Sequence, residues 1–126
     1  MAFINMNLGE AKEKEVLPEG EYDLVIEDYM PVMENDKLIA LSVRHSVDGH
    51  PEAKAVFNRI NLPTEGDTEE KRNNKLLFAI AYLALFGIEW TAAGFDTDEL
   101  QGSRGKCFLK VQEYEGVLSN QIKLRI

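Results

Sequence analysis

The sequence predicts a mainly β protein with one α-helix, in the order β-β-β-α-β-β. Five short stretches alternate apolar and polar residues with a period of two, as half-buried strands do. An α-helix is predicted over residues 68–86. It begins at a helix-capping signal, contains one longer apolar stretch and stops before Gly87. The 126 residues suffice for one domain with a single hydrophobic core, and no repeat or linker divides them.

Three strands are predicted before the helix. Pro, Gly, Asn and Asp cluster between them, as they do in turns. Pro31 is expected to end the first strand, because proline cannot donate to a ladder in a central strand. His45 and His50, on the two sides of the next turn, are expected at the surface. The predicted strands are residues 21–29, 37–45 and 53–62, with a loop at residues 30–36 and a turn at residues 48–51.

The helix and two further strands complete the domain. Thr68 and the acidic residues around it predict a helix start, and the apolar second half, including Leu76, Leu77 and Phe78, is expected to be well buried. Cys107 lies on the apolar face of its strand and is expected in the core. The last two predicted strands are residues 106–114 and 121–126, with a loop at residues 113–120. The predicted domain is residues 18–126, and residues 1–17 ahead of it are expected to form a partly flexible N-terminal arm.

This element order predicts a particular fold class. Five strands with one helix between the third and fourth is the order of the OB-fold, a small Greek-key barrel. Strands that alternate cleanly suit a barrel with a packed interior, and an apolar helix can close one end of it. We therefore expect a mainly β protein with one α-helix, arranged as a five-stranded OB-fold barrel.

Charge is distributed unevenly along the chain. The net charge is −8, with −8 in residues 1–36 and −5 in residues 63–102. The segments that contain most of the predicted strands are positive, at +2 for residues 37–62 and +3 for residues 103–126. A protein with this net charge does not wrap duplex DNA by bulk charge, but a basic groove on one face is compatible with it.

Outward side chains of the positive strands combine cations and aromatic rings. Single-stranded nucleic acid needs both, since cations follow its phosphates and aromatic faces accept its unstacked bases. The alternative for each residue is that outward Lys and Arg keep sheet edges soluble, and that Phe57 and Phe108 pack under a loop or the helix. The candidate nucleic-acid-binding residues are Arg44, Phe57, Arg59, Lys106, Phe108, Lys110, Tyr114, Lys123 and Arg125.

Other features limit the range of functions. In OB-folds the ligand lies between the loops that join strands 1–2 and 4–5, and here Glu34, Asp36, Glu113 and Glu115 would repel phosphate from those loops.

No carboxylate pair is singled out for acid–base work, and the histidines lack further metal ligands. We predict no catalytic residue, metal or cofactor. Without a signal peptide or a spanning apolar stretch, we expect a cytoplasmic protein.

Short motifs at both ends of the domain resemble a known family. An opening P-x-G-x-Y strand and a closing L-x-G, y-x-G, N-x-I pattern are similar to those of small phage-encoded proteins long catalogued as a domain of unknown function. The helix ending in Leu85-Phe86-Gly87 also fits the family. The matching residues are Pro18, Gly20, Tyr22 and residues 100–102, 114–116 and 120–122.

The resemblance implies an OB-fold protein that binds single-stranded DNA in phage replication or recombination, in the host bacterial cytoplasm. It also implies that Asn120 and the glycines of the last hairpin are turn positions. Expected partners are single-stranded DNA, phage or host replication and recombination proteins, and a second copy of the chain, with no membrane. Single-strand binders often end in an acidic recruiting tail; this sequence ends in a basic strand, so such recruitment is not part of the expectation.

Two other classes remain open. The first is an acidic protein-interaction module, a replication or recombination accessory or a DNA mimic, which binds no DNA of its own. The second is an enzyme such as a small nuclease, which is disfavoured because it needs a clustered carboxylate metal site.

Overall fold

The computed structural model describes residues 2–125. Over these residues the protein is mainly β, and the one α-helix among them lies between the third and fourth strands of the main sheet, as predicted. The elements are β1 (Gly20–Glu34), β2 (Lys37–Val47), β3 (Val56–Asn61), α1 (Glu69–Leu85), β4 (Trp90–Thr91), β5 (Gly94–Phe95), β6 (Arg104–Tyr114) and β7 (Val117–Ile122), with single 3-10 turns at Leu8–Glu10 and Thr97–Glu99.

Five strands form one antiparallel sheet in the order β3-β2-β1-β6-β7. Within the described part of the chain, the short strands β4 and β5 pair only with each other. The sheet is not closed, because within residues 2–125 no ladder joins β3 to β7. These two edge strands nevertheless approach one another, and the gap between them is the feature on which the candidate site depends.

Alternate residues of the long strands form the core, as their period predicts. Leu24 and Ile26 of β1, Val43 of β2 and Leu109 of β6 are all fully or almost fully buried. Cys107 belongs to the same cluster, which confirms its predicted place in the core, and burial raises the pKa of its thiol to about 11.

Two predicted loops are mostly strand. β1 continues through Pro31 to Glu34, and β7 begins at Val117, so the connections are reduced to two-residue turns. Asn35 and Asp36 have φ angles of 50° and 62°, and Glu115 and Gly116 have 50° and 80°. Two successive positive φ values are the signature of the type I′ turn, whose twist matches that of the strands it joins.

The helix bounds were predicted within one residue, whereas the burial of its second half was predicted only in part: Leu83 and Phe86 are buried, as expected. Thr68 is the N-cap, and its hydroxyl accepts a hydrogen bond from the Lys71 amide at 3.2 Å. The helical residues buried against the sheet are Tyr82 and Leu83. The expectation that Leu76, Leu77 and Phe78 are well buried is wrong: they are 40–44% exposed, because the sheet covers only one side of α1.

His45 is a core residue, and its prediction as a surface histidine is wrong. Its ring is fully buried, where its Nδ1 donates to the Val56 carbonyl at 2.7 Å and its Nε2 accepts from the Tyr82 hydroxyl at 2.6 Å. A carbonyl can only accept, so a proton resides on Nδ1, and because the pKa of His45 is lowered the ring is neutral at pH 7. Burial lowers the pKa of His45 to about 4.

The family resemblance implied that Asn120 is a turn residue, and this expectation is wrong. It lies within β7 and is buried. Its side-chain oxygen accepts from the Leu17 amide at 2.8 Å, and its side-chain nitrogen donates to the Leu17 carbonyl at 2.9 Å. The N-terminal segment is therefore fixed to the sheet at Leu17, while residues 2–15 are exposed.

Gly105 allows α1 to approach β6 closely. A Cβ at this position would clash with the Leu85 carbonyl and lie 3.1 Å from the Phe86 ring. We expect Gly105→Ala to lower the free energy of unfolding by about 2 kcal/mol, since the end of the helix must shift. Urea unfolding measures this loss. Gly66→Ala is the matched control, because nothing lies within 4 Å of a Cβ there; an equal effect of both substitutions would refute the close-approach explanation.

Candidate nucleic-acid interface

A cleft of about 500 Å³ separates the two edge strands of the sheet. Residues 58–61 of β3 line one side, and residues 121–124, at and just after the end of β7, line the other. Phe78 and Tyr82 of α1 also contribute to its lining. We call this the seam cleft, because it occupies the position where a closed sheet would have its last ladder.

Three cations in the seam cleft have no charged partner among the described residues. Arg59, Lys110 and Lys123 form no ion pair within residues 2–125. A fourth, Lys75, donates to both carboxylate oxygens of Asp67 at 3.1 and 2.9 Å and holds the pKa of that carboxyl down at about 2. No aspartate or glutamate of the described chain lines the cleft. It is therefore a region of positive potential on an acidic protein.

A second cleft adjoins the first and shares Lys123 and Leu124 with it. Its volume is about 610 Å³, and we call it the helix-side cleft because Ala81, Ala84 and Leu85 of α1 line it. Among the described residues, Glu21 is the single carboxylate that lines it. Four of the predicted site residues line it as well: Lys106, Phe108, Lys123 and Arg125.

Phe108 presents an aromatic face beside the shared lysine. Its side chain is 41% exposed, and the Lys123 ammonium lies 5.7 Å from the centre of its ring, within the range of a cation–π interaction. The Lys123 amide also donates to the Phe108 carbonyl at 2.9 Å, which continues the β6–β7 pairing past Ile122. A cation and a ring are thus fixed together where the two clefts meet.

Arg44 and Phe57 are neighbours on the outer face of β2 and β3, directly opposite one another in the ladder. Phe57 is exposed. The Arg44 guanidinium, however, donates to both oxygens of Asp28 at 3.0 and 2.8 Å, and this lowers the pKa of that carboxyl below its usual range. Because Arg44 is already paired, it is a weaker candidate for phosphate than the three unpaired cations.

Tyr114 lies apart from the other predicted residues. It is opposite Val117 at the tip of the β6–β7 hairpin and lines neither cleft. Glu113 and Glu115 are at the same tip and, within the described chain, are also absent from the lining of both clefts. Their predicted repulsion of phosphate therefore does not apply to either cleft at close range.

The cation Lys75 and the exposed ring of Phe78 line the seam cleft but were not among the predicted site residues. Lys75 and Phe78 are three residues apart on α1, a spacing that brings side chains to one face of a helix. That spacing was the available signal, but it does not reveal that this face underlies the gap between β3 and β7.

Comparison with known proteins gives no family assignment. No model of a protein family matches the chain, and no curated protein matches its sequence. In the stretch from residue 2 to residue 125, no helix has the length and apolar character needed to cross a membrane. The same residues contain no group of three or more His, Cys, Asp or Glu side chains arranged to hold a metal ion.

Proposed function

We propose that this protein is a non-enzymatic single-stranded DNA-binding protein with an OB-fold, which coats single strands with little sequence preference. The observation that carries the proposal is the seam cleft. It combines Arg59, Lys110 and Lys123 with the exposed ring of Phe78, and Phe108 lies against Lys123 at its border. Cations for phosphates and rings for bases are the two requirements of sequence-tolerant single-strand binding.

The strand order supports the OB-fold part of the proposal. The sheet has the β3-β2-β1-β6-β7 order, with α1 entering between the third and fourth of these strands in sequence. The OB-fold is a five-stranded, partly open barrel, so a gap between the edge strands is compatible with it. The motifs similar to those of phage proteins support a role in replication or recombination in a bacterial cytoplasm.

A comparison of single-stranded and duplex oligonucleotides at two salt concentrations tests the proposal. Fluorescence anisotropy of a labelled oligo-dT should show binding that exceeds duplex binding and weakens with salt. Three phosphate contacts predict a slope of log K against log salt of about −2, at about −0.7 per contact with a single strand. Binding that is absent, or that does not change with salt, would refute it.

Replacing Phe108 by alanine should weaken this binding by about 1–3 kcal/mol, the range for one lost stacked base. The same anisotropy titration measures the loss. Tyr114→Ala is the matched aromatic control and should have a smaller effect, because Tyr114 lines neither cleft. If Tyr114→Ala weakened binding more than Phe108→Ala, the hairpin tip and not the clefts would be the stacking site.

An acidic protein-interaction module remains the second candidate. A wide depression of about 950 Å³ beside the β4–β5 hairpin is lined by Trp90 together with Glu89, Asp96 and Glu99. Such a surface suits a basic protein partner. This function predicts no oligonucleotide binding, and co-purification with a basic protein that high salt releases.

A further inference from the structure

Asn58 is a polar residue at an inward position of β3. Val56 and Ile60, two residues before and after it, are buried in the core, and the period of a strand places Asn58 on the same face. Its side chain is half-buried and interrupts the apolar alternation of the strand. Because burying an amide costs free energy unless the amide is hydrogen-bonded, such a residue is expected to have a partner.

The amide of Asn58 has no partner within the protein. In residues 2–125, no hydrogen bond joins its side chain to another residue. Nor is the amide sealed in the core, because no fully buried side-chain nitrogen or oxygen of this part of the chain lacks a hydrogen bond. Asn58 lines the seam cleft, and its donor and acceptor are therefore open to that cleft.

The seam cleft is cationic on its outer side and apolar further in. Arg59 follows Asn58 directly, and successive strand residues point to opposite faces of a sheet, so Arg59 is directed outward. Lys110 and Lys123 each follow a buried residue and lie on the outer face as well. The helix α1, which packs on the inward face, contributes the ring of Phe78. A nucleotide has the same division, with a charged phosphate at one end and a flat base at the other.

We infer that the seam cleft admits an unpaired nucleobase and that Asn58 hydrogen-bonds its Watson–Crick edge, an inference that rests on the proposed binding of single strands. An asparagine amide offers an acceptor oxygen and a donor nitrogen, and the Watson–Crick edge of every DNA base presents an adjacent donor and acceptor. One side chain therefore serves all the bases, which agrees with binding of little sequence preference. The cleft volume of about 500 Å³ lies in the range of ligand pockets.

This contact selects single strands over duplex. In a duplex the Watson–Crick edge of each base is already hydrogen-bonded to the opposite strand, so it is closed to Asn58. Phosphate contacts alone carry no such selection, because Arg59, Lys110 and Lys123 can meet the backbone of either form. Asn58 thus adds free energy of binding only where the base is unpaired.

An oligo-dT in which every thymine is methylated at N3 tests the contact. Methylation removes the N3 donor and blocks the Watson–Crick edge, while the phosphates and the stacking faces stay. In anisotropy titrations the wild type should bind unmodified oligo-dT about tenfold more tightly than the methylated form, as expected for one or two lost neutral hydrogen bonds. Asn58→Leu should bind both forms equally and about tenfold more weakly than the wild type binds unmodified oligo-dT. Its slope of log K against log salt should be that of the wild type, because no phosphate contact is lost.

A second amide and a second substitution serve as controls. Asn74 is exposed on α1 and lines neither cleft, so Asn74→Ala should keep the tenfold preference. Urea unfolding should show Asn58→Leu to be at least as stable as the wild type, because the change removes no hydrogen bond of the protein and puts an apolar residue at an inward position. Asn58→Ala introduces no larger side chain and should give the same binding result.

The outcomes separate this inference from the proposed function. Equal binding of both oligomers by the wild type would overturn the inference and leave single-strand binding intact. A preference for unmodified oligo-dT that Asn58→Leu and Asn58→Ala both retain would overturn it as well, because the base edge would then be contacted elsewhere. A wild type that binds neither oligomer would refute the proposed function, and the inference with it.

Discussion

Replacing Arg59, Lys110 and Lys123 together by glutamine is expected to weaken binding of a labelled oligo-dT on the order of 100-fold. Each loses an exposed ion pair with a phosphate worth about 1 kcal/mol, and about 3 kcal/mol corresponds to a change of this size. The slope of log K against log salt should also become shallower by about 2, at about 0.7 for each lost contact. Anisotropy titrations at several salt concentrations give both quantities.

The control for this variant changes the net charge equally. Lys12, Lys37 and Lys71 line neither cleft, so their joint replacement by glutamine should leave most of the affinity intact. Circular dichroism verifies that both triple variants are folded. Equal losses of affinity would mean that DNA responds to the overall charge, and the assignment to the seam cleft would be wrong.

Lowering the pH from 8 to 5 is expected to reduce the free energy of unfolding by about 2 kcal/mol through His45 alone. Burial lowers the pKa of His45 to about 4 in the folded protein, against about 6.5 in an unfolded chain. The unfolded state therefore binds a proton near pH 6.5 that the folded state binds only near pH 4. Stability from this group is complete above pH 7 and declines as the pH falls; urea unfolding at several pH values measures the decline.

The hydrogen bonds of His45 give the control for this prediction. A proton on Nε2 would turn this nitrogen from an acceptor into a donor, so the Tyr82 hydroxyl could no longer donate to it. Glutamine does not titrate, so His45→Gln should flatten the decline that His45 causes between pH 8 and 5, whereas His50→Gln, which leaves His45 in place, should keep that decline. A His45→Gln curve parallel to that of the wild type would show that other groups cause the decline.

The sequence predicted those features of the fold that depend on local residue pattern. It did not predict those that depend on how strands and helix pack together. Pro31 lies within β1 because, after Val25, β1 pairs with β2 but no longer with β6, and a proline is tolerated where one edge carries no ladder. The inward alternation of β2 in fact continues through His45 to Val47. The position of His45 on the inward face indicates a buried residue, whereas its polarity is typical of a surface residue.

The candidate site was predicted in part for the same reasons. Period-two alternation identified Arg59, Lys110 and Lys123, which the fold brings to one cleft. Strict alternation also places Asp28 on the inward side of β1, but a bulge after Ile26 moves it to the outer face opposite Arg44. A bulge of one residue reverses every later side chain, so the pairing of Arg44 could not be read from the pattern.

Photo-crosslinking of an iododeoxyuridine-substituted oligo-dT, followed by mass spectrometry of the digested protein, tests the central claim most directly. If single-stranded DNA lies along the seam cleft and the helix-side cleft, the cross-linked peptides should contain Phe78 or Phe108, and the triple glutamine variant should lose them. Cross-links confined to the hairpin tip at Tyr114, or no cross-link at any DNA concentration, would contradict it.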